Sequence, residues 1–115
     1  MGADPQQDGL LATIPPLMRF LAHVERDILD AEAWLSAQNP DLGRQFRAAI
    51  DAALARIEEG PARWPKGMRG TRRYIVTKFK YVVVYREKAD EVVIVAVTHG
   101  RRSPGHWKDR LKDLT

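Results

Sequence analysis

No cysteine occurs in the 115 residues, so neither a disulfide framework nor thiolate chemistry is available to this chain. A reducing, cytoplasmic setting is the matching expectation. Long apolar runs are missing too. The best candidate, Leu10 to Ala22, is too short to span a bilayer and is broken by Pro15 and Pro16. No Lys or Arg precedes it, so the charged start of a secretory signal is absent, and Gln6 stands where a myristoylation motif wants Ser or Thr. No membrane partner is expected. Histidine is scarce, and His23, His99 and His106 lack metal-ligand spacing, with no Cys to complete a set. Neither a phosphate-cradling glycine motif nor a nucleophile motif is present. These absences argue against metal-dependent hydrolysis and nucleotide hydrolysis, and no metal or cofactor is expected.

Acidic residues are missing from one long stretch. Between Arg63 and Arg86 every charged residue is Arg or Lys, within a chain of formal net charge +4 and pI about 9.7. Such a segment suits a polyanion, an acidic protein tail or a nucleic-acid-bearing machine as partner; the alternative is a solvated surface that keeps the protein soluble.

The length is that of one domain with a single core. Residues 1–17 are polar and then proline-punctuated, without helical or strand periodicity, and read as an extension; residues 18–115 form the domain. MRFLA, from Met18, reads as a short first strand. Val24, Ile28, Ala31 and Leu35 then recur at helical spacing, with Glu25 and Asp27 in the first turn. Asn39-Pro40 ends this helix and caps the next, whose stripe is Leu42, Phe46, Ile50, Leu54 and Ile57, closed by Gly60-Pro61. So short a joint predicts an antiparallel hairpin.

Beyond a linker holding Trp64-Pro65 and Gly67 to Gly70, the period becomes strand-like. Tyr74 to Lys78, Tyr81 to Arg86 and Glu91 to Thr98 read as an antiparallel meander with the helix hairpin on one face. The predicted class is α+β, a small antiparallel sheet in the order β-α-α-β-β-β. Val83 and Tyr85, with Val93, Val95 and Val97, are the expected row on one face, which His99 continues.

The densest chemistry is His99-Gly100-Arg101-Arg102 at a strand end, with Trp107 and Lys108 downstream. A histidine can move a proton and arginine can stabilise a phosphate, so His99, Arg101 and Arg102 are candidates for metal-free RNA cleavage. The structural alternative makes His99 a strand-end residue bonded to backbone, with exposed arginines. Arg72, Arg73, Lys78, Lys80 and Arg86 add charge, and Tyr74, Tyr81 and Tyr85 add aromatic surface suited either to stacking bases or to filling strands. Trp34 and Trp64 fit core or linker packing.

From MRFLAHVERDILDAEAWL through NPDLGRQFRAAIDAALARIEEGPARWP to RRYIVTKFKYVVVYR and VVIVAVTHGRRSPGHW, the chain resembles the RelE/ParE superfamily of bacterial type II toxins. The resemblance implies a toxin bound by a cognate antitoxin in a hetero-oligomer. Its target would be the ribosome and its mRNA in RelE-like members and DNA gyrase in ParE-like ones. Val82 stands where the RelE-type pattern has arginine, Tyr74 and Val76 where it has paired lysines, and the downstream tyrosine is absent with Trp107 nearby; Arg102 matches a functional arginine. The sheet is thus closer to ParE, and gyrase is the preferred target. A non-toxic, antitoxin-binding role is the further alternative. The expected target surface is Arg73, Lys78, Lys80, Arg86, Arg101, Arg102 and Trp107, and the expected antitoxin surface is Ile28, Leu35, Phe46 and Ile50.

Overall fold

The computed structural model describes residues 17–102 and 104–114; the extension assigned to residues 1–17 lies outside them except for Leu17. Helix α1, Val24–Gln38, buries Val24, Ile28, Ala31 and Leu35, the stripe its spacing presents. Helix α2, Pro40–Glu59, buries Gly43, Phe46, Ile50, Ala53 and Ile57. Its inner face is therefore turned slightly from the expected line, with Leu42 and Leu54 half-buried at the margin. Asn39 serves both helices. Its N–H donates to the Leu35 carbonyl, and its side-chain oxygen accepts from the Asp41 N–H at 2.9 Å. Gly43 permits the close approach of the hairpin: a Cβ there would lie 1.8 Å from Ser36 Oγ and 3.2 Å from the Glu32 carbonyl oxygen. That contact offsets the roughly 1 kcal/mol that glycine costs inside a helix.

Strands β1 (Leu17–Phe20), β2 (Thr71–Val76), β3 (Tyr81–Glu87) and β4 (Glu91–His99) form one sheet in the order β1-β4-β3-β2. The meander β2-β3-β4 is antiparallel, but β1 joins β4 in parallel, Leu17 opposite Glu91 and Phe20 opposite Ile94. The sheet is mixed rather than antiparallel. The helices explain the direction. α1 continues onward from β1, so that its Asp27 reaches Val97 and its Trp34 lines the same cavity as His99. α2 then returns the chain towards Tyr85, whose hydroxyl donates to the Pro61 carbonyl. The meander therefore starts near the end where β1 started, and its third strand runs as β1 does. The Arg19 guanidinium spans both Glu91 carboxylate oxygens at 3.2 and 3.3 Å, and this bond holds the Glu91 carboxyl below its ordinary pKa.

A register shift between Val84 and Tyr85 corrects the expected face. Val84 pairs with Ala96 but Tyr85 pairs with Ile94, leaving Val95 as an extra residue that inverts the alternation of β4. The helix side of the core thus takes Val92, Ile94 and Val97 with Val83 and Tyr85. Val95 instead joins Val82, Val84 and Ala96 on the opposite side, where Trp107 and Leu111 cover them. This second cover comes from short 3-10 segments, Pro104–His106 and Lys108–Leu114, which carry no helical stripe.

Tyr85 is fully buried, and burial pushes its phenol up to about 12. The folded chain keeps it neutral, whereas the unfolded chain ionises it from about pH 10, so its contribution is complete below that pH and is lost as pH rises towards 12. Urea denaturation across this window should show stability falling with pH in the parent and falling less steeply in Tyr85→Phe. Equal slopes would assign the alkaline loss to other groups.

Candidate functional site

Strands β3 and β4 meet at Tyr81 and His99, paired across the sheet with rings edge-on at 5.4 Å. Both lie on the helix side, since Tyr81 also packs on Phe46 at 5.1 Å. The chain turns sharply here. Gly100 donates its N–H to the Lys80 carbonyl at 2.8 Å, and a Cβ at Gly100 would crowd that oxygen at 3.2 Å. His99 Nδ1 accepts from the Arg101 N–H at 3.2 Å, and its carbonyl accepts from the Arg102 N–H at 3.0 Å. Nδ1 is thereby occupied as an acceptor, leaving Nε2 as the ring atom able to exchange a proton outward. The Arg102 guanidinium comes within 3.3 Å of the His106 ring nitrogens. Burial raises the Tyr81 phenol above its ordinary pKa, and the charge of Arg102 opposes that rise.

The facing wall is α1, where Arg26, Asp30 and Trp34 succeed one another at four-residue spacing along one face. Between this wall and the strand ends lies a cavity of about 640 Å³, bordered by Tyr81, His99, Arg102 and His106. That is the size of small-ligand sites. Trp34 is 64% exposed, so it is not the packing residue its sequence position suggests. Thr98, also on the border, keeps a buried hydroxyl without a partner among the described residues.

One ion pair holds the two walls. Arg110 donates to both Asp27 oxygens at 2.7 and 2.9 Å and to the Val95 carbonyl at 3.0 Å, while Asp27 Oδ2 also accepts from the Val97 N–H at 3.0 Å. Both side chains are nearly buried. The pair anchors the segment carrying His106 and Trp107 to α1 and β4.

Residues 18–104 match the family model of the ParE toxin of type II toxin-antitoxin systems. The chain belongs to the ParE toxin family. Among its relatives is Toxin ParE2 of two Mycobacterium tuberculosis strains, 29% identical over 82 residues, covering 70% of this chain and 78% of the relative. Among solved structures, a chain of the chromosomal ParDE system from P. aeruginosa superposes with a TM-score of 0.66 at 11% identity, covering 73% of this chain and 95% of that one. The isolated E. coli RelE toxin gives 0.55 at 16% identity, covering 87% and 99%. A chain of the M. tuberculosis RelBE2 complex gives 0.50 at 26% identity, covering 75% and 99%. The RelE/ParE fold expected from the sequence is therefore present.

On this ParE-family scaffold the expected cations separate into two groups. Lys78, Lys80, Arg101 and Arg102 gather near the Tyr81–His99 end. Arg73 and Arg86 lie towards the other, Arg86 being opposite Thr71, about 17 Å along β3 at the usual strand rise. Lys78 is bonded to Gln45 and lies over the Phe79 ring. Arg72 is held by Glu87 and the Trp64 carbonyl. Trp107, expected at the target surface, is 5% exposed and packs against the sheet. Ile28, Leu35, Phe46 and Ile50, expected to meet the antitoxin, lie in the core between helices and sheet. Apolar stripes mark buried faces, and here the sheet already covers them. Tyr74 and Val76 also face the helices, so β2 presents Arg73 and Ile75 to the other side, opposite Val84 and Val82. The sequence reading missed Arg26, Asp30 and Trp34 as one wall. A tryptophan standing beside the apolar stripe rather than in it was the available signal.

Removing one partner of the Asp27–Arg110 pair leaves a nearly buried charge unmatched, a loss of about 3–5 kcal/mol. Arg110→Ala should show that loss in urea denaturation, together with exposure of Trp107 by fluorescence. A change below about 1 kcal/mol would mean the pair does not hold the C-terminal segment.

Proposed function

We propose that this toxin arrests bacterial growth by binding DNA gyrase and that a cognate antitoxin neutralises it in a hetero-oligomeric complex. The carrying observation is Val82. The resemblance implies that RelE-like toxins place an arginine at this strand position and cut mRNA with the cations of the sheet. Here the position is apolar, 9% exposed and packed with Trp107, where a charge would be desolvated without a partner. Its neighbour across β2 is Ile75, not a cation. The sheet is thus poor in the groups that stabilise a cleaving phosphate, while the rim keeps exposed Arg101 and Arg102 for contact with an acidic or phosphate-bearing machine.

The second reading is ribosome-dependent mRNA cleavage, favoured by His99, Arg102 and His106 at one cavity. Induction in a bacterial host, followed by parallel assays for gyrase–DNA cleavage complexes and for codon-positioned mRNA cuts, separates the two. Gyrase complexes without early mRNA cuts support the proposal; early cuts without gyrase complexes overturn it. A non-toxic, antitoxin-binding role would leave growth unaffected.

The double variant Arg101→Ala, Arg102→Ala changes only exposed side chains, so stability should stay within about 0.5 kcal/mol of the parent. It should bind antitoxin yet lose growth arrest. Full arrest at equal expression would remove this rim as the effector surface. Under the mRNA-cleavage reading, His99→Gln should lower turnover by about 10²-fold or more with association intact. Unchanged cleavage would exclude His99 as the proton-transfer group.

A further inference from the structure

Among the described residues no hydrogen bond or ring contact engages Trp34. It is an exposed aromatic on a helix whose apolar stripe is complete without it, and it borders the cavity at the end of β4. Arg102 lines the same cavity, has no carboxylate partner among the described residues, and lies beside His106 at 3.3 Å. Arg26 meets Asp30 at 3.7 Å, and both side chains are largely exposed, so this loose pair leaves Arg26 available for a ligand. Arg110, by contrast, is neutralised by Asp27 and belongs to the frame.

An aromatic side chain and a guanidinium without a carboxylate partner, lining one cavity of about 640 Å³, select a ligand with one flat apolar part and one anionic part. We propose that this cavity binds a nucleotide unit, its base stacked on Trp34 and its phosphate held by Arg102 with His106. Asp30, one helical turn from Trp34, is placed to accept from base amino or ribose hydroxyl groups. An apolar protein side chain would use the tryptophan but leave the cations without a counter-charge, and a carboxylate would do the reverse, so a nucleotide answers more of the site in one group. The ligand could be a free mononucleotide or an unpaired nucleotide of a strand, since both present the same chemistry. The inference does not depend on which machine the toxin arrests.

The test uses the purified full-length chain and reads saturable binding, not growth. Probes are AMP, GMP, CMP, UMP, the matching nucleosides and a single-stranded tetranucleotide, followed by tryptophan fluorescence and by NMR shifts. The proposal requires saturable binding that Trp34→Ala weakens about tenfold or more while Trp34→Phe largely preserves it. It also requires that Arg102→Gln erase the preference for nucleotide over nucleoside. A mononucleotide binding as tightly as the tetranucleotide identifies the free source; tighter, more salt-sensitive tetranucleotide binding identifies the strand. Because Trp34 is exposed, Trp34→Ala should melt as the parent does. Failure of every probe to saturate overturns the proposal, as does unchanged affinity in folded Trp34→Ala. Loss of antitoxin affinity in Trp34→Ala, with no nucleotide bound by the parent, would overturn it in favour of a protein anchor.

Discussion

The bond between Asp27 and Arg110 is the constraint on which the rest of the molecule turns. It joins three pieces that have no covalent reason to meet: the first turn of α1, the backbone of β4 at Val95 and Val97, and the C-terminal segment. Two nearly buried charges are tolerable because three guanidinium protons and three carboxylate lone pairs find mates. With that bond in place, Trp107 and Leu111 can close the second side of the sheet, and the cavity beside His99 has two fixed walls. The site's geometry is therefore a by-product of the fold's most demanding polar contact.

Much of this was legible in the residues. The stripe Val24, Ile28, Ala31 and Leu35, the double role of Asn39, and the three-stranded meander follow from local periodicity and capping, although the meander's first strand runs Thr71–Val76 rather than Tyr74 to Lys78. What escaped was long-range. The parallel placement of β1 depends on where the hairpin delivers the chain. The extra residue at Val95 has no local signature among neighbouring valines, yet it decides which of them face the helices. Asp27 reads as an ordinary first-turn carboxylate until Arg110 is beside it.

The candidate site was partly visible for the same reason. His99 and the arginines after it stood out because charge follows an apolar strand abruptly. The α1 wall did not, because Arg26, Asp30 and Trp34 look like a solvated helix face when the opposing loop is unseen. Conversely, Ile28, Leu35, Phe46 and Ile50 have the composition of a docking surface but are already docked, on the sheet of the same chain. Apolarity marks what will be covered and leaves open by what.

The parallel seating of β1 has a consequence for how the protein comes into being. Its partner strand lies 74 positions later, Arg19 pairing with Val93, and the clamp joins residues 83 apart. Contacts so remote in sequence form late and slowly. During synthesis the sheet lacks its first strand's neighbour until β4 has emerged, and the second cover waits for Trp107, Arg110 and Leu111. A growing chain is therefore without its finished rim until both β4 and the segment carrying Arg110 have left the ribosome.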